Sequence, residues 1–164
     1  MGFFDKLKTL VGAHGCKVEI TRLERQAPDQ VTFPATDSVF KGNYKITAEK
    51  PCTILAHKHQ IVVTKKHADG HEETVVLGES AHDASTNIGG SENKWPYDMV
   101  AGDEKTDSFM VSRLDIPAML KKLGYSDPSA AMRAPNLTFF VRITADVKGT
   151  PMDAEAKVNF KIAA

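Results

Sequence analysis

The sequence has no net charge, no long apolar run and almost no cysteine. Its 21 Lys and Arg residues balance 21 Asp and Glu residues over 164 positions, which removes the broad positive field that nucleic-acid binding relies on. No apolar stretch approaches the ~20 residues needed to cross a bilayer. The amino terminus, Met1-Gly2-Phe3-Phe4-Asp5-Lys6, lacks the apolar core and small-residue cleavage site of a secretory signal, and Lys6 stands where a myristoylation signal needs Ser or Thr. The expected address is cytoplasmic. Only two cysteines occur, Cys16 and Cys52, far apart and without CxxC spacing; a reduced pair is expected, with no disulfide framework. No internal repeat and no low-complexity tract is visible.

What is present is strand patterning. Phe139, Val141, Ile143, Ala145 and Val147 alternate with polar residues, and so do Ala154, Ala156, Val158, Phe160 and Ile162, with Gly149-Thr150-Pro151-Met152-Asp153 between them. A period of two puts every second side chain on one side of a pleat, so the pair predicts antiparallel strands with one buried face. The same period runs through Phe40, Gly42, Tyr44, Ile46 and Ala48. Strands are also predicted from Lys17, across Cys52 to Lys66, over Glu73 to Leu77 after the Asp69-Gly70 turn, and from Thr106 to Leu114. Ser80 to Asn93, polar and carrying Gly89-Gly90, reads as loop.

Two helices interrupt the strands. Phe3, Phe4, Leu7, Leu10 and Val11 fall at helical spacing, and burying two Phe and two Leu side chains contributes roughly 6–10 kcal/mol gross. Capping an open end of the sandwich, or a dimer contact, is the expected use, with membrane contact through Lys6 and Lys8 the alternative. Asp115 stands as a cap before Ile116, Met119, Leu120 and Leu123, and Gly124 follows where the helix should stop. A further helical turn is predicted at Asp127-Pro128.

The order of several motifs resembles the arrestin-like superfamily. Trp95-Pro96-Tyr97 with the Gly102-Asp103 turn, then Phe109 through Arg113-Leu114-Asp115-Ile116-Pro117, resembles its aromatic-proline strand, Gly-acidic turn and closing Leu-x-x-Pro strand. Phe139 to Asp146 is similar to the strand that follows there, and Lys148-Gly149 with Asp153 fits its bacterial branch. Phe3-Phe4-Asp5-Lys6-Leu7, Val11-Gly12 and Lys17-Val18-Glu19 look like the start of bacterial sporulation-control proteins of this class. The resemblance implies an all-β, immunoglobulin-like or arrestin-like sandwich of seven to eight antiparallel strands, with a short N-terminal helix and a helical insertion near 115–133. Residues 1–16 would form the helix and linker, and 17–164 a single sandwich domain. It implies an adaptor or regulatory module that binds proteins, with no catalytic residues and no cofactor. Proteins of that branch run on into a second sandwich.

The candidate sites follow from residue chemistry. Trp95 and Tyr97 bracket Pro96; large aromatics carry much of an interface's energy when exposed, and with Phe3, Phe4 and Leu7 they are the expected contacts for a protein partner or a second copy. Trp95 as a plug of the core is the plainer reading. His57 and His59 lie at i and i+2 on a predicted strand, so their rings point the same way about 7 Å apart, and His67 and His71 flank the hairpin turn. Imidazoles suit zinc, copper or nickel, but no carboxylate or thiolate is spaced to complete a site, so solvated strand histidines are expected, with a metal site at His57 and His59 or pH sensing as the alternatives. Asp98, Asp103, Glu104 and Asp107 lack the regular spacing of a calcium loop. Ser80-Ala81-His82-Asp83 offers the residue types of a hydrolytic triad, but triad members meet in space and rarely as sequence neighbours. Between residues 69 and 115 the chain carries 3 basic and 11 acidic side chains, which is a solvated acidic face or a surface for a basic partner.

Overall fold

The period-two segments become the central strands of two facing sheets. The computed structural model describes residues 15–24, 31–86, 94–126, 130, 134–150 and 152–163. The strands among them are β1 (Cys16–Leu23), β2 (Thr32–Pro34), β3 (Phe40–Ala48), β4 (Cys52–Lys66), β5 (Glu72–His82), β6 (Tyr97–Met99), β7 (Glu104–Val111), β8 (Leu137–Val147) and β9 (Ala154–Ala163), with helix α1 (Ile116–Lys122) between β7 and β8. The smaller sheet has the order β1-β3-β7, and the larger runs β2-β9-β8-β4-β5 with β6 also on β4. The count among the described residues is nine where seven or eight are expected, because two three-residue strands carry too little pattern to read. One of them, β2, joins the sheet edge parallel to β9 and ends on Pro34, an edge position where proline's missing N–H costs no ladder bond.

The β8–β9 pair keeps the register its alternation demands: Phe139 faces Phe160, Val141 faces Val158, Ile143 faces Ala156 and Ala145 faces Ala154, all of them buried. From the other sheet, Phe40, Tyr44 and Ile46 of β3 meet this layer, and all three are buried in the same core. Phe33, Phe40, Phe139 and Phe160 form an aromatic cluster with centroid separations of 4.7–6.2 Å, the range in which offset and edge-on ring pairs are attractive. Full burial of side chains of this size contributes roughly 1.5–3 kcal/mol each before ordering costs. Gly42 serves the same packing by lacking a side chain, since a Cβ there would lie 2.6 Å from both the Arg22 carbonyl oxygen and the Phe109 ring.

Strand β4 spans both halves of the large sheet. Along one side it pairs with β8, and along the other with β5 over 57–66 and with β6 over 52–54. An irregularity between Ile54 and Ala56 shifts the inward parity, so Ile54 faces the core before it and His57, His59, Ile61 and Val63 face it after. β5 extends to His82 and a short 3-10 turn covers Ala84–Thr86, so the loop expected from Ser80 starts later than its polar sequence suggests. The remainder, 87–93 with Gly89-Gly90, lies outside the described residues.

Helix α1 is closed at both ends by its own sequence. The Asp115 carboxylate accepts from the Ala118 N–H, supplying one of the unpaired first-turn donors with a partner. At the other end the Gly124 and Tyr125 N–H groups bond back to Lys121 and Leu120 carbonyls, with Gly124 at φ +95°, the left-handed closure that favours glycine. Ile116 and Leu120 are buried on the core side, and Lys65 Nζ donates to the Leu123 carbonyl at 2.9 Å. The further turn at Asp127-Pro128, most of the expected insertion beyond 126, and the N-terminal helix with Phe3, Phe4 and Leu7 lie outside the described residues. No helix among the described residues is long and apolar enough to cross a membrane.

Candidate functional site

Cross-strand register builds a polar cluster inside the sandwich. On the large sheet His57 stands opposite His82 and His59 opposite Ser80; on the small sheet Tyr44 stands opposite Asp107. Residues directly opposite in a ladder share a face, so three such pairs are enough to bring six polar side chains together. His57 and His59 are fully buried. This corrects the expectation of solvated strand histidines: both share the odd parity of Ile61 and Val63, and that parity points inward.

Tyr44 is the hub. Its Oη lies 2.6 Å from His57 Nδ1, 3.0 Å from His59 Nε2 and 3.2 Å from His82 Nδ1. His57 Nε2 continues to Tyr97 Oη at 2.6 Å, and His59 Nδ1 to Ser80 Oγ at 2.8 Å. Together these make one hydrogen-bonded chain, Ser80–His59–Tyr44–His57–Tyr97. A neutral imidazole donates at one nitrogen and accepts at the other, so the chain has two self-consistent proton arrangements. In one, Ser80 donates to His59, His59 to Tyr44, Tyr44 to His57 and His57 to Tyr97; in the other every donor and acceptor is exchanged. Either leaves both buried rings neutral and satisfied, as burial requires.

Electrostatics agrees with that neutrality. The His57 and His59 pKa values are lowered from 6.5 to about 3, chiefly by burial; the Asp107 charge opposes the shift and His82 adds to it. Tyr44 and Tyr97 are shifted strongly upward, first by burial and then by the Asp107 charge and other neighbours. For Asp107 burial raises the pKa, but His82 and the Ser108 N–H outweigh it and the net shift is downward. Its Oδ1 accepts from the Ser108 N–H at 2.8 Å. Its Oδ2 is buried without a well-aligned hydrogen bond, at 3.2 Å from His82 Nδ1 and 4.0 Å from His57 Nδ1.

The cluster reaches solvent at His82. A groove of about 650 Å³ opens between the edge strands β5 and β7, with Ser80, Ala81 and His82 on one wall, Ser108, Phe109 and Met110 on the other, and Arg22 and Lys41 also lining it. The His82 side chain is 35% exposed and that of Asp107 19%, whereas the rings behind them are sealed.

The remaining sequence candidates lie in different surroundings. Trp95 and Tyr97 are both half-buried and pack on His57, with Trp95 edge-on at 4.8 Å, and Lys105 Nζ stands 4.4 Å from the Tyr97 ring centre. Trp95 is thus a partial plug, and Tyr97 is committed through its hydroxyl to His57. His67 and His71 do meet across their turn, stacked at 4.2 Å, but they are surface residues paired with Glu73 and Asp69. Asp98 accepts from Thr53, Asp103 from the Val100 N–H, and Glu104 pairs with Lys45; of the four acidic candidates only Asp107 turns inward. The sequential triad does not form, because Ser80 bonds to His59 and Asp83 binds Ser85. Both cysteines are free, and burial pushes the Cys16 thiol up to about 12. Tyr44, Ser80, His82 and Asp107 were not singled out together by the sequence, although opposing inward parities on neighbouring strands could have found them.

Comparison with known proteins turns on the fold. No family model and no curated protein matches the sequence. Among solved structures, the chain is similar to Spo0M, a sporulation control protein from Bacillus subtilis, with a TM-score of 0.59 and 12% sequence identity. The fold is arrestin-like. The likeness covers 92% of this chain and 50% of that one, so the chain spans half the length of the protein it matches.

Proposed function

We propose that the protein is a non-catalytic, cytoplasmic interaction module of the arrestin-like type, with a regulatory role exerted through protein contacts. The observation that supports this reading most directly is the pair of sheet edges flanking the groove. Among the described strands β7 is hydrogen-bonded to β3 alone and β5 to β4 alone, and an edge strand is a template for an added strand. Exposed Met110 on β7 and Val76 on β5 give such a segment apolar anchor points, and the half-exposed rings of Trp95 and Tyr97 add contact area. The likeness to half of a sporulation control protein is consistent with a regulatory role, and it carries no reaction with it.

The reading is tested by cross-linking mass spectrometry on the tagged full chain in its native cells, comparing the wild type with Met110→Lys and with the Trp95→Ala, Tyr97→Ala double variant. A partner cross-linked next to β5 or β7, and reduced at least fivefold by Met110→Lys while the variant keeps its melting temperature, supports it. Cross-links indifferent to both variants, or no reproducible partner, overturn it.

A further inference from the structure

Four features beside His82, at the inner end of the groove, point to a bound cation. His57 Nδ1, His82 Nδ1 and one Asp107 oxygen lie within 4.8 Å of one another. The buried Asp107 Oδ2 faces that space without a well-aligned hydrogen-bond donor. Its other oxygen is pinned by the Ser108 N–H, and the far nitrogen of His57 is held by Tyr97. Finally, His82 lines the groove, which supplies an entry path. A buried carboxylate oxygen without a well-aligned donor beside two imidazole nitrogens, with the carboxylate and the His57 ring each oriented from behind, is the arrangement of a metal site with part of its supporting shell in place.

We propose that His57, His82 and Asp107 bind one divalent transition-metal ion of the zinc class. Two imidazoles and a carboxylate select first-row divalent cations over calcium or magnesium, which prefer oxygen donors throughout. A tetrahedral ion with bonds of about 2.0–2.1 Å needs its donor atoms about 3.3 Å apart. The His82–Asp107 separation of 3.2 Å meets that, the His57–Asp107 separation of 4.0 Å is wide by less than an ångström, and the two ring nitrogens, within 4.8 Å of each other, close onto the ion by a small ring rotation. The hub accommodates the change: when His57 Nδ1 turns its lone pair to the ion, the Tyr44 hydroxyl donates instead to His59 Nε2 at 3.0 Å, and His59 Nδ1–H donates to Ser80. His59 is therefore a positioning residue. Water, or a carboxylate or imidazole side chain of a partner, reaching the ion past His82 from the groove would complete the shell. This site does not depend on the interaction reading above.

Equilibrium dialysis of the chelator-stripped full chain against Zn²⁺, with elemental analysis, decides it, supported by visible absorption of the Co²⁺ form. One zinc per chain and a tetrahedral Co²⁺ spectrum are expected. Asp107→Asn and His82→Gln should each weaken binding at least tenfold, while His67→Ala, His71→Ala leaves it unchanged. His82 is partly exposed, so His82→Gln keeps the test available if Asp107→Asn fails to fold; circular dichroism of the metal-free variants checks this. Less than about a tenth of an equivalent bound at micromolar zinc, binding indifferent to His82→Gln, or loss of binding with the surface His67/His71 pair would each overturn the proposal.

Discussion

Tyr44→Phe removes one oxygen atom and is expected to be among the most damaging conservative changes in the protein. The side chain is fully buried, and its hydroxyl partners His57 Nδ1 and His59 Nε2 on rings that are themselves fully buried. His82 Nδ1 keeps Asp107 as a neighbour, so two ring nitrogens lose their partner. An unsatisfied buried polar group costs about 1–3 kcal/mol. Two of them, reduced by the better burial of Phe, give about 3 kcal/mol. For a chain of this length that corresponds to a fall in Tm of about 6–12 °C. The measurement is urea denaturation at pH 7.5 in the presence of a chelator, so that bound metal does not enter the balance. Tyr125→Phe is the control: its hydroxyl donates to Asn136 at 3.2 Å in a half-buried setting, and its loss should cost less than about 1 kcal/mol. If Tyr44→Phe costs less than about 1 kcal/mol, the hydrogen-bonded chain is not a structural element and the argument from burial is wrong.

Two further outcomes follow from the same core. In the metal-free protein, His57 and His59 have folded-state pKa values near 3 against 6.5 in the ordinary state, so below pH 6.5 the unfolded chain takes up protons that the folded chain refuses, and stability falls as pH falls through the window from 6.5 to 3. At about 1.4 kcal/mol per unit for each ring, the loss between pH 7 and pH 5 is about 4 kcal/mol; denaturant midpoints that stay flat across that interval would contradict neutral buried histidines. Gly42→Ala places a methyl group 2.6 Å from a backbone carbonyl and an aromatic ring, and overpacking of this kind costs about 1–3 kcal/mol; a neutral or raised Tm would mean that β1 and β7 yield more easily than their packing implies.

The two terminal strands were legible because each satisfies a single local rule. Phe139 to Val147 and Ala154 to Ile162 have one wet face and one dry face, and no other strand is needed to know which side chains point in. The Asp115 cap and the Gly124 stop were legible for the same reason, since both act within one helical turn. His57 and His59 mark the boundary of that reasoning. Their parity with Ile61 and Val63 was visible, but imidazole is compatible with water and with a core, and polarity pulled the reading outward. Ser80 and His82 were hidden differently: a polar run resembling a loop is in fact the end of β5, held in the ladder by its pairing with β4.

By itself the sequence determined a β-sandwich and the facing of most of its strands, because a pleat repeats every two residues and needs no distant partner to do so. Only the tertiary structure decided the polar core. Tyr44, His57, His59, Ser80, His82 and Asp107 come from four strands whose registers are fixed across two sheets, and none of these residues has a local reason to be near the others. Burial then sets their chemistry: a histidine is neutral or charged, and a carboxylate oxygen satisfied or orphaned, according to neighbours that only folding supplies.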